Sequence, residues 1–252
     1  MGRLDNKVAI ITGGNAGVGK EIAKLFASEG AKIVISARRK EVLEEVGKEI
    51  EEAGGTVLCV PTDISKIDDV KNLVNKTVET FGKIDILVNN AGVLDKGLNA
   101  IDRIDYDDLN RVIDINQKGT MYCMSEALKV MTSGASIVNI ASVAGQFGAG
   151  GAVYVSTKAA IIGVTKHAAM RFAKDNIRCN VICPGSITTE MAAGLTPDTM
   201  DMQMMGAMRA HSDLSLKPCS PQDVAKVTLF LASDDAAPIT GQVIVSDYGV
   251  DL

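Results

Sequence analysis

The sequence predicts an α/β protein, a single doubly wound domain built on a parallel sheet of about seven strands. Three observations carry this. Short β-branched apolar runs alternate with amphipathic stretches along all 252 residues, the rhythm of strand–helix units. The runs are continuously apolar, as strands buried on both faces are. Strand–helix repetition of this kind also demands parallel pairing with right-handed crossovers. The composition agrees, with 46% hydrophobic residues, 23% charged, 24 glycines and no tryptophan. It excludes a disordered tail, a collagen-like rod and a disulfide-stapled miniprotein. A chain of this length can bury roughly 70–75% of its unfolded surface, so a full core is available.

The elements follow in order. A first strand at 8–11 leads through a glycine turn into a helix over 18–28, where Ile22, Ala23, Leu25 and Phe26 fall at helical spacing. A second strand at 32–35 precedes a charged helix over about 40–53. A third at 57–60 precedes a helix over about 67–81, and a fourth strand covers 84–88. A long helix is predicted over 106–130, then a fifth strand over 136–140 and a second long helix over 152–174. A sixth strand at 178–182, a helix at 221–232 and a last strand at 242–245 complete the series. One segment, 186–218, breaks the rhythm and carries Met191, Met200, Met202, Met204, Met205 and Met208 of the chain's 11 methionines.

Charge and cysteine usage narrow the function classes. The net charge is −5 and the 26 basic residues are dispersed, so no nucleic-acid footprint is expected. Nothing approaches 18 consecutive apolar residues, so no membrane span is expected. Residues 1–7 lack an apolar signal core, and Asn6 stands where myristoylation wants Ser or Thr. A cytoplasmic location follows. The five cysteines form no CxxC pair and only two histidines accompany them, which reads as reduced, mostly buried thiols and no metal site.

After the first strand the chain reads Thr12-Gly13-Gly14-Asn15-Ala16-Gly17-Val18-Gly19. Glycines at 13, 17 and 19 permit a tight turn, close approach to a pyrophosphate and close helix–strand packing, while the helix N-terminus offers N–H groups to the phosphates. Gly13, Asn15, Gly17, Val18 and Gly19 are therefore candidate cofactor-binding residues of a Rossmann-type fold. The end of the second strand selects the dinucleotide. NAD sites place a carboxylate there and NADP sites an arginine; here Arg38 and Arg39 stand with no carboxylate before Glu41. Two cations at a helix N-terminus oppose its dipole unless an anion answers them, so NADP is expected over NAD. Ordinary solvated surface charge is the alternative.

Tyr154 and Lys158 lie four apart, on one face of a helix. A phenol titrates near pH 10, and a neighbouring ammonium stabilises the phenolate. Bringing it to about 7 takes roughly 4 kcal/mol. Alone the pair reads more readily as a surface contact. Ser142 lies just past the fifth strand, where such a sheet opens its ligand crevice. Asn116 sits in the preceding long helix, and Asn89-Asn90-Ala91-Gly92 closes the fourth strand.

Together these pieces resemble the short-chain dehydrogenase/reductase family: TGGNAGVG at 12–19, Asp63, NNAG at 89–92, Asn116 before Gly119, Ser142, YVSTK at 154–158 and PGSITT at 184–189. The resemblance runs from about Leu4 to Gly249. It implies that Tyr154 is the general acid in ketone reduction and the base in alcohol oxidation. Lys158 would lower its pKa and hold the nicotinamide ribose, Ser142 would hydrogen-bond the substrate oxygen, and Asn116 would help carry a water-linked proton relay. Asp63, with Ile64 beside it, would meet the adenine, and Asn90, Ala91 and Gly92 would line the adenosine ribose. Pro184, Gly185, Ile187 and Thr189 would cover the nicotinamide.

Three departures stand out. The Ser142–Tyr154 interval is one residue tighter than in many relatives. Tyr248 replaces a glycine that relatives often carry, and is expected to project into the space a glycine leaves open. Ala16 occupies a loop position that is basic in some NADP-using relatives, which leaves Arg38 and Arg39 to set cofactor choice. The methionine-rich segment falls where the family has its variable substrate lid. Methionine adapts to irregular apolar shapes, so a hydrophobic secondary alcohol or ketone such as a hydroxysteroid or bile acid is expected. Helix packing or a subunit contact would use the same residues. Activity as a 3-oxoacyl-(acyl-carrier-protein) reductase is the alternative, with Lys129, Arg171 and Lys174 as candidate contacts to an acidic carrier, diluted by Asp175. A non-catalytic NADP-binding sensor is a more distant one, since such proteins lose the tyrosine or lysine. A triad hydrolase is weaker still, because neither histidine sits in a nucleophile context. The family's pairing surface, the helices at 106–130 and 152–174, implies a homodimer or tetramer.

Overall fold

The strand β1 (Val8–Thr12) is buried along its whole length and pairs in parallel with β2 (Lys32–Ala37) on one side and β4 (Ile86–Asn89) on the other. The computed structural model describes residues 2–188, 198–213 and 215–250. Within them, β3 (Thr56–Pro61), β5 (Ser136–Ile140), β6 (Arg178–Pro184) and β7 (Val243–Ser246) extend the sheet in the order β3-β2-β1-β4-β5-β6-β7. Every pairing is parallel. The order of strand addition reverses between β1 and β4, the chain building outward from β1 first to one edge and then to the other, and ligands bind at the carboxyl ends of strands flanking such a switch.

Successive side chains of β1 divide between two layers, as the two-residue period of a strand requires. Ala9 and Ile11 join a core with Ile22 and Phe26 of α1 (Gly17–Ser28), Leu43 of α2 (Lys40–Glu52) and Leu229 of α9 (Pro221–Ala232). Ile10 faces the other layer. It packs with Leu73 of α3 (Ile67–Phe81), Cys123 of α5 (Thr120–Leu128) and Ala168 of α7 (Ala152–Phe172). Each large apolar side chain fully buried this way contributes about 1.5–3 kcal/mol. Arg178 donates to the Leu231 carbonyl at 2.7 Å and to that of Ser233 at 3.0 Å, a cation at the C-terminal end of α9.

Four differences from the sequence expectation bear on the site. The helix expected over 106–130 is continuous but not uniform: α4 (Tyr106–Val112) passes into a π-helical segment, Ile113–Gly119, before α5. The widened turn contains Asn116, and no periodicity pattern marks it. The loop expected after Ser142 contains a short helix, α6 (Val143–Phe147), whose N-cap is Ser142 itself, accepting from Ala144 N at 3.1 Å. The fourth strand begins two residues late, because Asp85 turns its carboxylate to Val8 N at 2.7 Å. Within the methionine-rich segment, Asp201 caps a helix α8 (Met202–Arg209) by accepting from Gln203 N and Met204 N.

Candidate active site

The carboxyl ends of the strands open onto a cleft of about 1150 Å³. At its floor the glycine turn leaves β1. Gly13 and Gly17 adopt φ of +68° and +50°, which glycine tolerates and other residues resist. A Cβ on Gly19 would strike the Gly13 carbonyl, so this glycine permits close packing and lies behind the wall, while Gly13, Asn15, Gly17 and Val18 face the cleft. α1 begins at Ala16 with no side-chain cap and no acidic residue in its first turn. Its first N–H groups are thus left for an anion.

The end of the cleft beside β2, where the adenosine is expected, is lined by Ser36, Arg38, Arg39, Asp63 and Ile64. Ser36 Oγ is buried without a hydrogen-bond partner. Both arginines are exposed, and neither has a carboxylate partner among the described residues. An orphaned hydroxyl and two unanswered guanidiniums fit a phosphorylated ribose. Asp63 uses one carboxylate oxygen to accept from Ser65 Oγ at 2.7 Å and Ser65 N at 3.1 Å.

Asn90, Ala91 and Gly92 also face the cleft, but the Asn90 side chain has a second job. Its Nδ2 donates to the Thr12 and Gly13 carbonyls at 3.0 and 3.3 Å, stitching the end of β4 to the glycine turn. Thr12, which sequence reasoning passed over, completes the stitch by accepting from Asn90 N and Ala91 N. Asn116 is fully buried and does not line the cleft. Its Oδ1 accepts from Val93 N at 2.8 Å, and its Nδ2 donates to Val93 O at 2.9 Å and to Thr157 Oγ1 at 3.1 Å. The side chain has both its donors committed to joining the β4 loop to α7, so a relay would run past it and not through those N–H groups.

Tyr154, Lys158 and Ser142 meet in the cleft at the end where the nicotinamide is expected. Lys158, only 4% exposed, donates from Nζ to the Ile140 carbonyl at 2.9 Å and lies 5.5 Å from the centre of the Tyr154 ring. The Ser142 hydroxyl stands beside the phenol oxygen, where it favours the phenolate. Burial pushes Tyr154 up to about 12, the Ser142 hydrogen bond opposes it, and Asp95 and Cys183 add to the rise. Burial pushes Lys158 down to about 8. The expected lowering of the phenol by its amine is therefore not achieved by the chain's own groups. A dry site penalises phenolate and ammonium alike, and burial is the largest influence on each.

Pro184, Gly185 and Ile187 line the same end, and Thr189 lies outside the described residues. Tyr248 does not enter the cleft. Its backbone keeps the left-handed φ of +58° suited to glycine, the Lys217 ammonium lies over its ring at 5.3 Å, and its hydroxyl stands near the Asp223 carboxylate, which it helps hold low. Met205 and Met208 of α8 face the cleft, together with Leu94, Asp95 and Arg209. Met191 is outside the described residues. Among the described residues no three His, Cys, Asp or Glu side chains are placed to hold a metal ion, and no helix is long and apolar enough to cross a membrane.

Comparison with known proteins identifies the family and agrees with the fold. The family model described as enoyl-(acyl carrier protein) reductase matches residues 13–251. A 3β-hydroxysteroid dehydrogenase of Mediterraneibacter gnavus is 36% identical, the match covering 99% of this chain and 96% of the relative. A 3-oxoacyl-(acyl-carrier-protein) reductase of Thermotoga maritima is 37% identical over 98% of this chain and 99% of its own length. The crystal structure of a short chain dehydrogenase from Burkholderia cenocepacia in complex with NADP superposes with a TM-score of 0.87 at 30% identity, covering 98% of both chains.

Proposed function

The chain belongs to the short-chain dehydrogenase/reductase family, whose members bind a nicotinamide cofactor, and from that premise we propose an NADP(H)-dependent oxidoreductase interconverting a secondary alcohol and a ketone on a hydroxysteroid or bile acid. The observation that carries the reading is the meeting of Tyr154, Ser142 and Lys158 at one end of a cleft whose other end is a glycine turn and a pair of free arginines.

The protein's part in the chemistry is binding, orientation and one proton. The N–H groups of the first turn of α1 hold the pyrophosphate, and Arg38 and Arg39 hold the 2′-phosphate that distinguishes NADP. A bound nicotinamide supplies the hydride and, when oxidised, a positive ring. In ketone reduction Tyr154 Oη gives its proton to the substrate oxygen, and in alcohol oxidation the phenolate takes it back. Ser142 Oγ fixes that oxygen beside the phenol. Lys158, anchored on Ile140, restores the tyrosine proton from solvent, and Asn116 keeps Lys158's surroundings in place by tying the β4 loop to α7.

The substrate class rests on the apolar wall of Met205, Met208 and Leu94, and the steroid-active relative supports it. The segment 186–218 is read as the lid. The acyl-carrier-protein reading has the Thermotoga maritima relative in its favour. Against it, Lys129 pairs with Glu126 at 2.6 Å and Arg171 with Asp175 at 3.1 Å, so two of the three candidate docking cations are already answered. Copies of the chain are read as pairing through α4–α5 and α7, where Tyr106, Met121 and Met170 are exposed. The deciding experiment is a panel of hydroxysteroids and simple secondary alcohols assayed with NADP+ and NAD+, and of their ketones and 3-oxoacyl thioesters assayed with NADPH and NADH, each followed by absorbance of the reduced ring. Turnover of acyl thioesters without turnover of steroids would reverse the substrate assignment.

A further inference from the structure

α7 carries both Tyr154 and Lys158, yet its own N-terminus is not capped by its own sequence. The N-cap is Gly151, which has no side chain, and the first turn holds no acidic residue. The free N–H groups of that turn can be followed one by one. Ala152 N donates to Asn99 O at 2.9 Å and Val155 N to Gly151 O at 2.9 Å. The N–H groups of Val153 and Tyr154 face the carboxylate of Asp95. That side chain is 3% exposed and lines the catalytic cleft. Neither of its oxygens reaches full hydrogen-bond geometry with any donor, so the contact is one of charge with the helix end. A Cβ at position 151 would be driven into both Asp95 oxygens: the carboxylate fills the place a Ser or Asp at 151 would fill.

The loop holding Asp95 is itself gripped on both sides. Arg111 donates to Leu94 O at 2.7 Å, Lys96 N donates to Asp108 Oδ2 at 2.6 Å, and Arg111 and Asp108 are joined at 2.7 Å. An ion pair on α4 thus clamps the residues before and after Asp95.

We propose that Asp95 is a positioning residue for the reaction: reaching across from the β4 loop, its carboxylate caps the helix of Tyr154 and Lys158 in the space left by Gly151, and so sets where the Tyr154 hydroxyl stands in the cleft. The proposal rests on the reading of Tyr154 as proton donor. The charge has a second effect, because an ionised carboxylate beside the phenol disfavours the phenolate. The groups facing the phenol are Ser142, Lys158, Cys183 and Asp95. Asp108, held by Arg111, is the charged group facing Asp95.

The test uses the full chain with whichever ketone and alcohol it turns over best, the ketone with NADPH and the alcohol with NADP+. Asp95→Ala lowers kcat about tenfold with little change in the KM for NADPH, while Asp95→Asn, which fills the same space and keeps an oxygen toward the helix end but loses the charge, recovers only part of it. Asp95→Asn also moves the rise of alcohol oxidation with pH toward lower pH by about half a unit, an effect that loss of packing alone does not produce. Gly151→Ser is harmful in the wild-type chain, where it collides with Asp95, but restores activity and melting temperature to Asp95→Ala by capping from the usual position. A kcat for Asp95→Ala within twofold of wild type, or losses that simply add when Gly151→Ser is combined with Asp95→Ala, would overturn the proposal. So would an unmoved pH profile in Asp95→Asn. Retained turnover in Tyr154→Phe would sink the proton-donor reading and the catalytic half of this proposal with it. The melting temperatures of the Asp95 and Gly151 variants would then still report on the cap separately.

Discussion

Lys158 Nζ lies 5.5 Å from the centre of the Tyr154 ring while donating to the Ile140 carbonyl at 2.9 Å. The amine is therefore held between the phenol one helical turn away and the last residue of β5. Its place depends on the strand and the helix at once, and burial keeps the phenol neutral at neutral pH while drawing the amine down to about 8, so that it gives up its proton only above neutrality. The ionised pair becomes favourable once further positive charge or proton transfer to substrate offsets the desolvation cost.

Removing the phenol hydroxyl tests the centre of this arrangement. Tyr154→Phe should lower kcat by about 10²–10⁴-fold, the range of a general acid, while the dissociation constant for NADPH, measured by fluorescence titration, stays within about threefold. Undiminished turnover would remove Tyr154 from the chemistry.

Arg38 and Arg39 are assigned to the 2′-phosphate. Replacing both by alanine should weaken NADPH binding about 10- to 100-fold, since charge-assisted hydrogen bonds contribute about 1.5–3 kcal/mol each before solvent screening at exposed positions. NADH binding should hardly change. Equal losses for the two cofactors would undo the NADP assignment.

The lysine leaves a mark on stability. Its folded-state pKa of about 8 lies below the ordinary 10.5, so the unfolded chain binds the extra proton between those values and stability rises with pH across that window. Lys158→Met lacks this dependence. Urea denaturation at pH 7 and pH 10 should show wild type gaining on the variant by about 2 kcal/mol between the two. Tyr154, raised to about 12, acts with the opposite sign above pH 10, where its contribution is lost. A constant difference would mean that Lys158 is not buried as described.

Met205 and Met208 are the apolar face that α8 turns to the cleft. Changing both to glutamine should raise the KM for a steroid substrate about tenfold, since each would place an amide where an apolar body docks. The KM for NADPH should stay put. An unchanged steroid KM would separate the methionines from substrate binding.

Asn90 tests the glycine turn. Asn90→Ala removes two hydrogen bonds from its side chain to the Thr12 and Gly13 carbonyls. Each is worth about 1 kcal/mol, so cofactor affinity should fall about tenfold by titration, with the overall circular dichroism spectrum retained. Wild-type affinity would assign the stitch to stability alone.

The fold class was legible in the sequence because strands buried on both faces are uniformly apolar, and a parallel sheet then follows from the helix between each pair. The ligand end was legible too, since the glycine turn, Tyr154 with Lys158, and Ser142 are local patterns whose spacing carries their chemistry. What escaped were relationships between segments distant in the chain. The π-helical turn at Asn116 has the same periodic pattern as an ordinary helix. The stitching role of Asn90 depends on Thr12, 78 positions away. Tyr248 kept the backbone conformation of a glycine and turned its ring to Lys217, which residue identity alone does not disclose. Local composition thus settled which residues can do chemistry and on which elements they ride. Only tertiary packing decided how dry the site is, and hence that Tyr154 rises where its neighbouring amine alone would lower it. Packing also decided that the missing cap of α7 comes from Asp95. Desolvation and contacts across the chain are sums over neighbours brought together by folding, and no window of sequence contains them.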